Sequence, residues 1–331
     1  MVLYLLDNNF QRIAVIDSYA SLIWTKRYWD VGDFELYLSA NTSVDFQKGF
    51  YVQKADDNNT LMKIDTIKLS EDAENGDYLT ISGKSFENIL SSRIVWYKTR
   101  YVGSAETVMY SLFLSNFKFA DNVHRNISQL SIAPFKGLVG TVSGEYNGEE
   151  LLEVIQSICR QKGFGFRFNR FQFEIYKGTD RTFNSNNPVV IFSPDFGNVS
   201  NSNYTQDRSA HKNVCLAYAE SSQNAYGRNL VTSGGENAGM NRYETFSDCG
   251  TEEDTALMLA AAEETLSEDT EHDIFESEII PQLATNDYDL GDIIQLADNY
   301  NNKAAARITE IIECDSAEGH TVVPTFEVIQ V

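Results

Sequence analysis

A chain of 331 residues with 42% hydrophobic side chains can bury about three quarters of its unfolded surface, which supports two or three cores and excludes a short, staple-dependent scaffold. Its 48 Asp+Glu against 26 Lys+Arg give a formal charge of -22, and a surface so charged repels a phosphate backbone, which argues against specific nucleic-acid binding. The first basic residue is Arg12 and no apolar run approaches the ~20 residues that span a bilayer, which argues against a signal peptide and against membrane insertion by this chain.

Residues 1–86 read as strands joined by tight turns. Leu3 to Leu6 and Arg12 to Ile16 flank Asp7-Asn8-Asn9 as a hairpin, with Asn suited to the left-handed turn position. Leu22 to Tyr28 and Phe34 to Leu38 flank Asp30-Val31-Gly32-Asp33, and the alternation of Phe34, Leu36 and Leu38 with Glu35 and Tyr37 turns one face inward. Phe50 to Lys54, Met62 to Leu69 and Tyr78 to Ser82 continue the meander, with turns at Asp56-Asp57-Asn58-Asn59 and Asn75-Gly76-Asp77. Short strands at this spacing predict a small barrel or sandwich.

From residue 87 to 180 the pattern is mixed. Ser104 caps a predicted helix running to about Asn116, and a second runs from Asn147 to Lys162, where Leu151, Leu152, Ile155, Ile158 and Cys159 share one face and Gly163 stops it. Phe164 to Phe168 and Phe171 to Tyr176 predict another hairpin. Residues 181–331 return to strands around Val189 to Phe192, Val214 to Glu220, Ile274 to Ile280, Ile293 to Ala297, Ala305 to Glu313 and Val322 to Ile329, interrupted by a helix over about 251–267. Thr251 and Asp254 approximate its capping box, with Glu252 and Glu253 in the positive first turn. The fold class is therefore α+β, mostly β, in three parts.

Few residues look chemical. Lys162-Gly163-Phe164-Gly165-Phe166-Arg167-Phe168 approaches the aromatic strand that stacks RNA bases, but Arg167 and Asn169 break the pattern, leaving a core hairpin as the plain reading and sugar stacking as the alternative. Ser233-Gly234-Gly235 with Gly239 lacks the Lys-Ser/Thr of a phosphate loop and reads as a mobile surface loop. His124, His211, His272 and His320 have no metal spacing, and His211 with Cys215, four apart along a strand, lies too far apart to chelate. Cys159, Cys215, Cys249 and Cys314 are 34 or more residues apart and read as free thiols of a reducing cytoplasm. No nucleophile elbow appears, and 48 acids make any carboxylate pair uninformative about glycoside hydrolysis. No residue is assigned a catalytic, cofactor-binding or metal role.

Two stretches carry a resemblance. Ile16-Asp17-Ser18-Tyr19-Ala20-Ser21-Leu22-Ile23-Trp24-Thr25-Lys26-Arg27-Tyr28, closed by Gly32-Asp33-Phe34-Glu35-Leu36-Tyr37-Leu38, resembles the opening of the siphophage baseplate hub, or tail-associated, structural proteins. Tyr288-Asp289-Leu290-Gly291-Asp292-Ile293-Ile294, then Ala306-Arg307-Ile308-Thr309-Glu310-Ile311 and Val323-Pro324-Thr325-Phe326, is similar to the end of the same family. The resemblance implies a non-enzymatic hub at the tip of a phage or prophage tail. In such a hub, two tail-tube-like β-barrel domains (1–86 and 181–331) flank an α+β domain (87–180), and three copies form a ring through which DNA passes. It implies partners in itself, the distal tail protein, the tape measure and tip or fibre proteins, and a place in the virion after assembly in the host cytoplasm. Gly32-Asp33 and Gly291-Asp292, each before a strand, echo an internal duplication. Since the sequence stops at Val331 just after the hub-like ending, lytic or fibre functions are expected on other polypeptides. The competing expectation is a carbohydrate-binding receptor module that uses an exposed aromatic hairpin.

Overall fold

The computed structural model describes residues 1–71, 76–220, 228–252, 254–268, 272–280, 288–300 and 303–329. Alternating side chains build the opening strands: β1 (Leu3–Leu6), β2 (Arg12–Ile16), β3 (Ser21–Arg27), β4 (Asp33–Ser39), β5 (Tyr51–Lys54), β6 (Met62–Ser70) and β7 (Tyr78–Ser85). In β4, Phe34, Leu36 and Leu38 are buried while Glu35 and Ser39 are exposed, so the period of two read from the sequence holds residue by residue. The β1–β2 turn forms where expected, with the Asp7 carboxylate accepting from the backbone N–H of Asn9 and Gln11 at 2.8 Å each. Its left-handed residue is Phe10, at φ 60, and not an asparagine. The Phe10 ring lies 4.7 Å from Tyr51 and 4.5 Å from Phe171, and that packing offsets the backbone cost of about 1–2 kcal/mol. Asn75 of the predicted Asn75-Gly76-Asp77 turn lies outside the described residues.

The middle of the chain holds β8 (Thr99–Ser104), α1 (Ala105–Phe117), β9 (Ser131–Ile132), β10 (Thr141–Tyr146), α2 (Leu151–Lys162), β11 (Gly165–Asn169) and β12 (Gln172–Tyr176). Ser104 caps α1 by accepting from the Thr107 N–H. Helix α2 starts at Leu151 rather than at Asn147: Gly148 is left-handed at φ +95, and its N–H donates to the Val95 carbonyl while Val95 donates to Glu149. These residues belong to a β-type contact before the helix begins. Gly163, at φ +66, ends it as read from the sequence. Helices α1 and α2 with β11 and β12 enclose one core, which includes Phe113, Phe117, Ile155, Phe166 and Phe173.

The last part holds β13 (Ile191–Phe192), β14 (Val199–Asp207), β15 (Val214–Glu220), β16 (Arg228–Ser233), β17 (Glu244–Asp248), α3 (Thr255–Glu268), β18 (His272–Ile279), β19 (Ile293–Ala297), β20 (Lys303–Ser316) and β21 (Gly319–Ile329). Helix α3 begins at Thr255, and its first-turn acceptor is the Asp254 carboxylate, 2.8 Å from the Ala256 N–H, rather than Thr251. Glu253 lies outside the described residues. The helix covers its own three-stranded sheet, β16-β15-β17, through Cys215, Ala217, Ala219, Met258 and Ala262. This unit is carried on the antiparallel β14–β18 ribbon. The prediction of a lone helix inserted in a barrel is thus replaced by a two-layer insertion.

The long sheet runs β13-β19-β20-β3-β4-β7-β6-β5-β1-β2, with β21 also on β20. It makes the protein mostly β, as expected. No closed barrel forms among the described strands, because β13 and β2 end the path. Strand β20 joins its two halves: Lys303 to Arg307 pair with β19, and Glu310 to Ser316 pair with β3. Between these, β20 is irregular against β21 at Ile308/Glu310, and on its other edge the Thr309 carbonyl accepts from the Tyr28 N–H at 2.8 Å. Pro324 is tolerated in β21 because, among the described strands, β21 hydrogen-bonds to β20 alone.

Candidate functional site

The halves of the long sheet and the helical layer meet at Tyr28, which follows β3 and is fully buried. Its hydroxyl lies 3.1 Å from the Gly163 carbonyl after α2 and 3.3 Å from the Tyr176 carbonyl on β12. Its ring meets Tyr176 edge-on at 5.2 Å, with the Arg307 guanidinium 5.4 Å from its centre. Two glycines let the backbone reach that ring: a Cβ at Gly165 or at Gly291 would stand 2.2 Å from Tyr28 Cε2. Arg307 also donates to the Gly291 carbonyl at 3.0 Å. One side chain therefore touches β11, β12, the turn before β19, and β20. Desolvation pushes the Tyr28 phenol up to about 12, against the pull of Arg307, so it stays a neutral donor.

Ion pairs brace the same seam. Arg27 bonds Glu310 at 2.7 Å and Asp33 at 2.6 Å. Lys54, whose side chain is 6% exposed, reaches Glu313 at 2.7 Å. The amino terminus bonds Asp315 at 2.6 Å, and Tyr19 shares that carboxylate. Glu310, Glu313 and Asp315 lie on β20, and the cations that meet them here come from residues 1–54, so the ladder is held by side chains as well as backbone. Beside it, the buried Asp292 accepts from Arg181 Nε at 2.6 Å and the Thr179 N–H at 2.7 Å. Glu174 takes Arg167 and Lys136, each at 2.6 Å.

A cavity of about 220 Å³ opens at this junction, lined in part by Arg27, Asp57, Glu87, Arg167, Asn169 and Asp289. Burial pushes the Glu87 carboxyl above its usual range, although it accepts the Phe168 N–H at 2.8 Å. Asp57 is held low: burial would raise it, but bonds from the Thr60 hydroxyl and the Asn59 and Thr60 N–H groups outweigh that effect. The carboxylates named here are engaged by cations or backbone donors, and the buried phenols and the Cys159 thiol are pushed away from their anionic forms. Such a site joins parts of a fold; it presents no activated nucleophile.

The residues singled out in the sequence are dispersed. Phe164, Phe166 and Phe168 are 2%, 1% and 3% exposed and stack within the helical core, where Phe168 meets Phe113 and Phe173. They fill a core and offer no platform to a base or a sugar. Cys215 packs beneath α3, while the His211 ring lies against Tyr243 at 5.7 Å. No cluster of three or more metal-type ligands occurs among the described residues. In the glycine loop after β16, Asn237 Nδ2 donates to the Asn213 and Gly234 carbonyls, and Arg242 donates to the Asn237 carbonyl. All four cysteines are free. Sequence reasoning missed Tyr28, Arg307 and Asp292 as the junction, although all three lie inside the two family-like stretches.

The profile of the family described as Siphovirus ReqiPepy6 Gp37-like protein matches residues 2–326. No curated protein matches the chain. Among solved structures, the fold is similar to a prophage tail protein gp18 from Listeria monocytogenes EGD-e, with TM-score 0.62 and 10% identity over 99% of this chain and 94% of that one. It is also similar to a tail protein from Neisseria meningitidis MC58, with TM-score 0.64 and 10% identity over 99% and 96%. A third is the 43 kDa tail protein of prophage MuSo2 from Shewanella oneidensis, with TM-score 0.61 and 13% identity over 100% and 98%.

Proposed function

Because the chain belongs to the Siphovirus ReqiPepy6 Gp37-like family, we propose that it is a structural component of a siphovirus or prophage tail, working as the baseplate hub at the tail tip. The observation that carries this reading is the end-to-end match of its fold to three tail proteins, over 99–100% of this chain. In this proposal three copies form a ring between the tail tube with its distal tail protein and the tip or fibre proteins, and the tape measure and then DNA pass through the centre.

Residues 1–86 and 181–331 act as the two tail-tube-like units, clasped at the β3–β20 ladder, with residues 87–180 between them. A tube adaptor must transmit load without coming apart, and the Tyr28 junction with the Arg27, Lys54 and amino-terminal ion pairs supports that task. The charge of -22 suits a passage that DNA must cross without sticking. The hub makes and breaks no bonds. The saccharide-binding alternative loses its motive, since the aromatic hairpin faces the core.

Light scattering of the purified protein over a concentration series tests the ring. A mass near three times 37.3 kDa is expected; a monomer at every concentration would refute self-assembly of the isolated hub.

A further inference from the structure

One surface gathers exposed aromatic and aliphatic side chains around two arginines. Between the 3-10 turn Phe86–Ser92 and β8, Ile94, Trp96 and Tyr97 are 49%, 49% and 59% exposed, while Val95 is buried. Val95 is fixed by its N–H to the Glu149 carbonyl, so its neighbours are held outward. Val123, on the turn before Arg125, is 71% exposed.

Arg125 lies over the Trp96 ring at 4.4 Å from its centre, and its Nη2 donates to the Ile94 carbonyl at 2.9 Å and to Asn116 Oδ1 at 2.7 Å. Arg93 lies over Phe117 at 5.1 Å and reaches the Arg125 carbonyl at 3.4 Å. Every hydrogen-bond partner of these two guanidiniums among the described residues is a neutral oxygen, and Arg93 Nε is buried with no acceptor. Burial first, and then repulsion from Arg93, pushes the Arg125 guanidinium below its usual range, with no carboxylate among the opposing influences. Elsewhere Arg27, Arg100, Arg167, Arg181 and Arg242 meet carboxylates, and although Arg12 and Arg307 also bond neutral oxygens, neither lies beside an exposed tryptophan.

A solitary exposed tryptophan needs no explanation. A fixed Trp, a Tyr and two arginines lacking acids are different, because these residue types concentrate binding energy at the centres of protein interfaces. A polyanion such as nucleic acid is disfavoured by the surrounding field of 22 excess negative charges. That same excess puts carboxylates on other faces of the chain, and a closed ring joins two dissimilar faces of each subunit. We infer that the Trp96, Tyr97, Arg93 and Arg125 patch is one half of a head-to-tail contact between copies of this chain, receiving a carboxylate-bearing face of its neighbour. This rests on the ring proposed above and adds which surface closes it. Repulsion between the copies at longer range is screened beyond about 8 Å at physiological salt.

Sedimentation velocity on the full chain tests it with Trp96→Glu and Tyr97→Glu, both at exposed positions, against Trp96→Phe and against Phe246→Glu, a change at a residue 60% exposed on β17. The glutamate variants at 96 and 97 are expected to weaken association about tenfold or more; the other two should assemble as the unaltered chain does. Trp24 is fully buried and Trp29 partly buried, so acrylamide quenching reports mainly Trp96, and it should fall as copies associate. If the ring forms with Trp96 still quenchable and Trp96→Glu assembles normally, this surface is wrong while the ring stands. If the unaltered chain never associates, both fail.

Discussion

Replacing Gly291 by alanine should uncouple the junction at one defined contact. Gly291 has φ +85, and a Cβ there would stand 2.2 Å from Tyr28 Cε2. The left-handed backbone costs a non-glycine residue about 1–2 kcal/mol, and forcing a methyl against a packed ring adds about 1–3 kcal/mol, so Gly291→Ala should destabilise by about 2–5 kcal/mol. Tyr28→Ala alone should cost about 3–5 kcal/mol, as for other large aromatic truncations. In the double variant the ring is absent, so the alanine at 291 should retain only its backbone cost of about 1–2 kcal/mol. Urea denaturation followed by near-ultraviolet circular dichroism measures all four corners of this cycle. A combined loss that is additive within about 0.5 kcal/mol would refute the contact as the reason for glycine.

Glu106 is 1% exposed and accepts from the N–H groups of Lys136, Gly137 and Leu138. Glu106→Ala should cost about 2–4 kcal/mol by stranding those donors, and hydrogen exchange should show the three amides losing protection first. Burial raises the Glu174 carboxyl, but bonds from Lys136, Arg167 and Asn169 outweigh this and hold it below its usual range. Bonds from the amino terminus and Tyr19 likewise outweigh burial at Asp315. At pH near or below about 4 the unfolded chain therefore binds more protons at these groups than the folded one. Their stabilisation should be complete above that range and fade as pH falls towards the lower folded values. Thermal melts against pH should show this, and Glu174→Gln should flatten the slope. Cys159 is buried with its thiol pushed up by desolvation, whereas Cys249 and Cys314 are half-buried; peptide mapping after iodoacetamide treatment should find the latter two modified first. Equal labelling of Cys159 in the native protein would contradict the core around α1 and α2.

Local signals were legible where one residue's neighbours in sequence decide its state. The alternation in β4, the Ser104 cap and the Gly163 stop each depend on a few adjacent side chains, and each stands where it was read. The start of α2 was not legible, because Gly148 and Glu149 are recruited by Val95, some fifty positions away. The capping of α3 was ambiguous between Thr251 and Asp254, both good acceptors. Short strands such as β9 and β13, two residues each, carry too few side chains to show any period.

The sequence by itself determined the mostly β character, the helical middle, the presence of the aromatic hairpin and the stretches that mark the family, because hydrophobic periodicity and turn chemistry are local properties. Only the tertiary structure decided that β20 pairs with β19 along one half and with β3 along the other, that Tyr28 stands between Gly165 and Gly291, and that Arg93 and Arg125 come together on neutral oxygens and aromatic rings. Those facts depend on which distant segments meet, and pairing across nearly three hundred residues is selected by the burial and bonding of the whole chain rather than by the residues beside it.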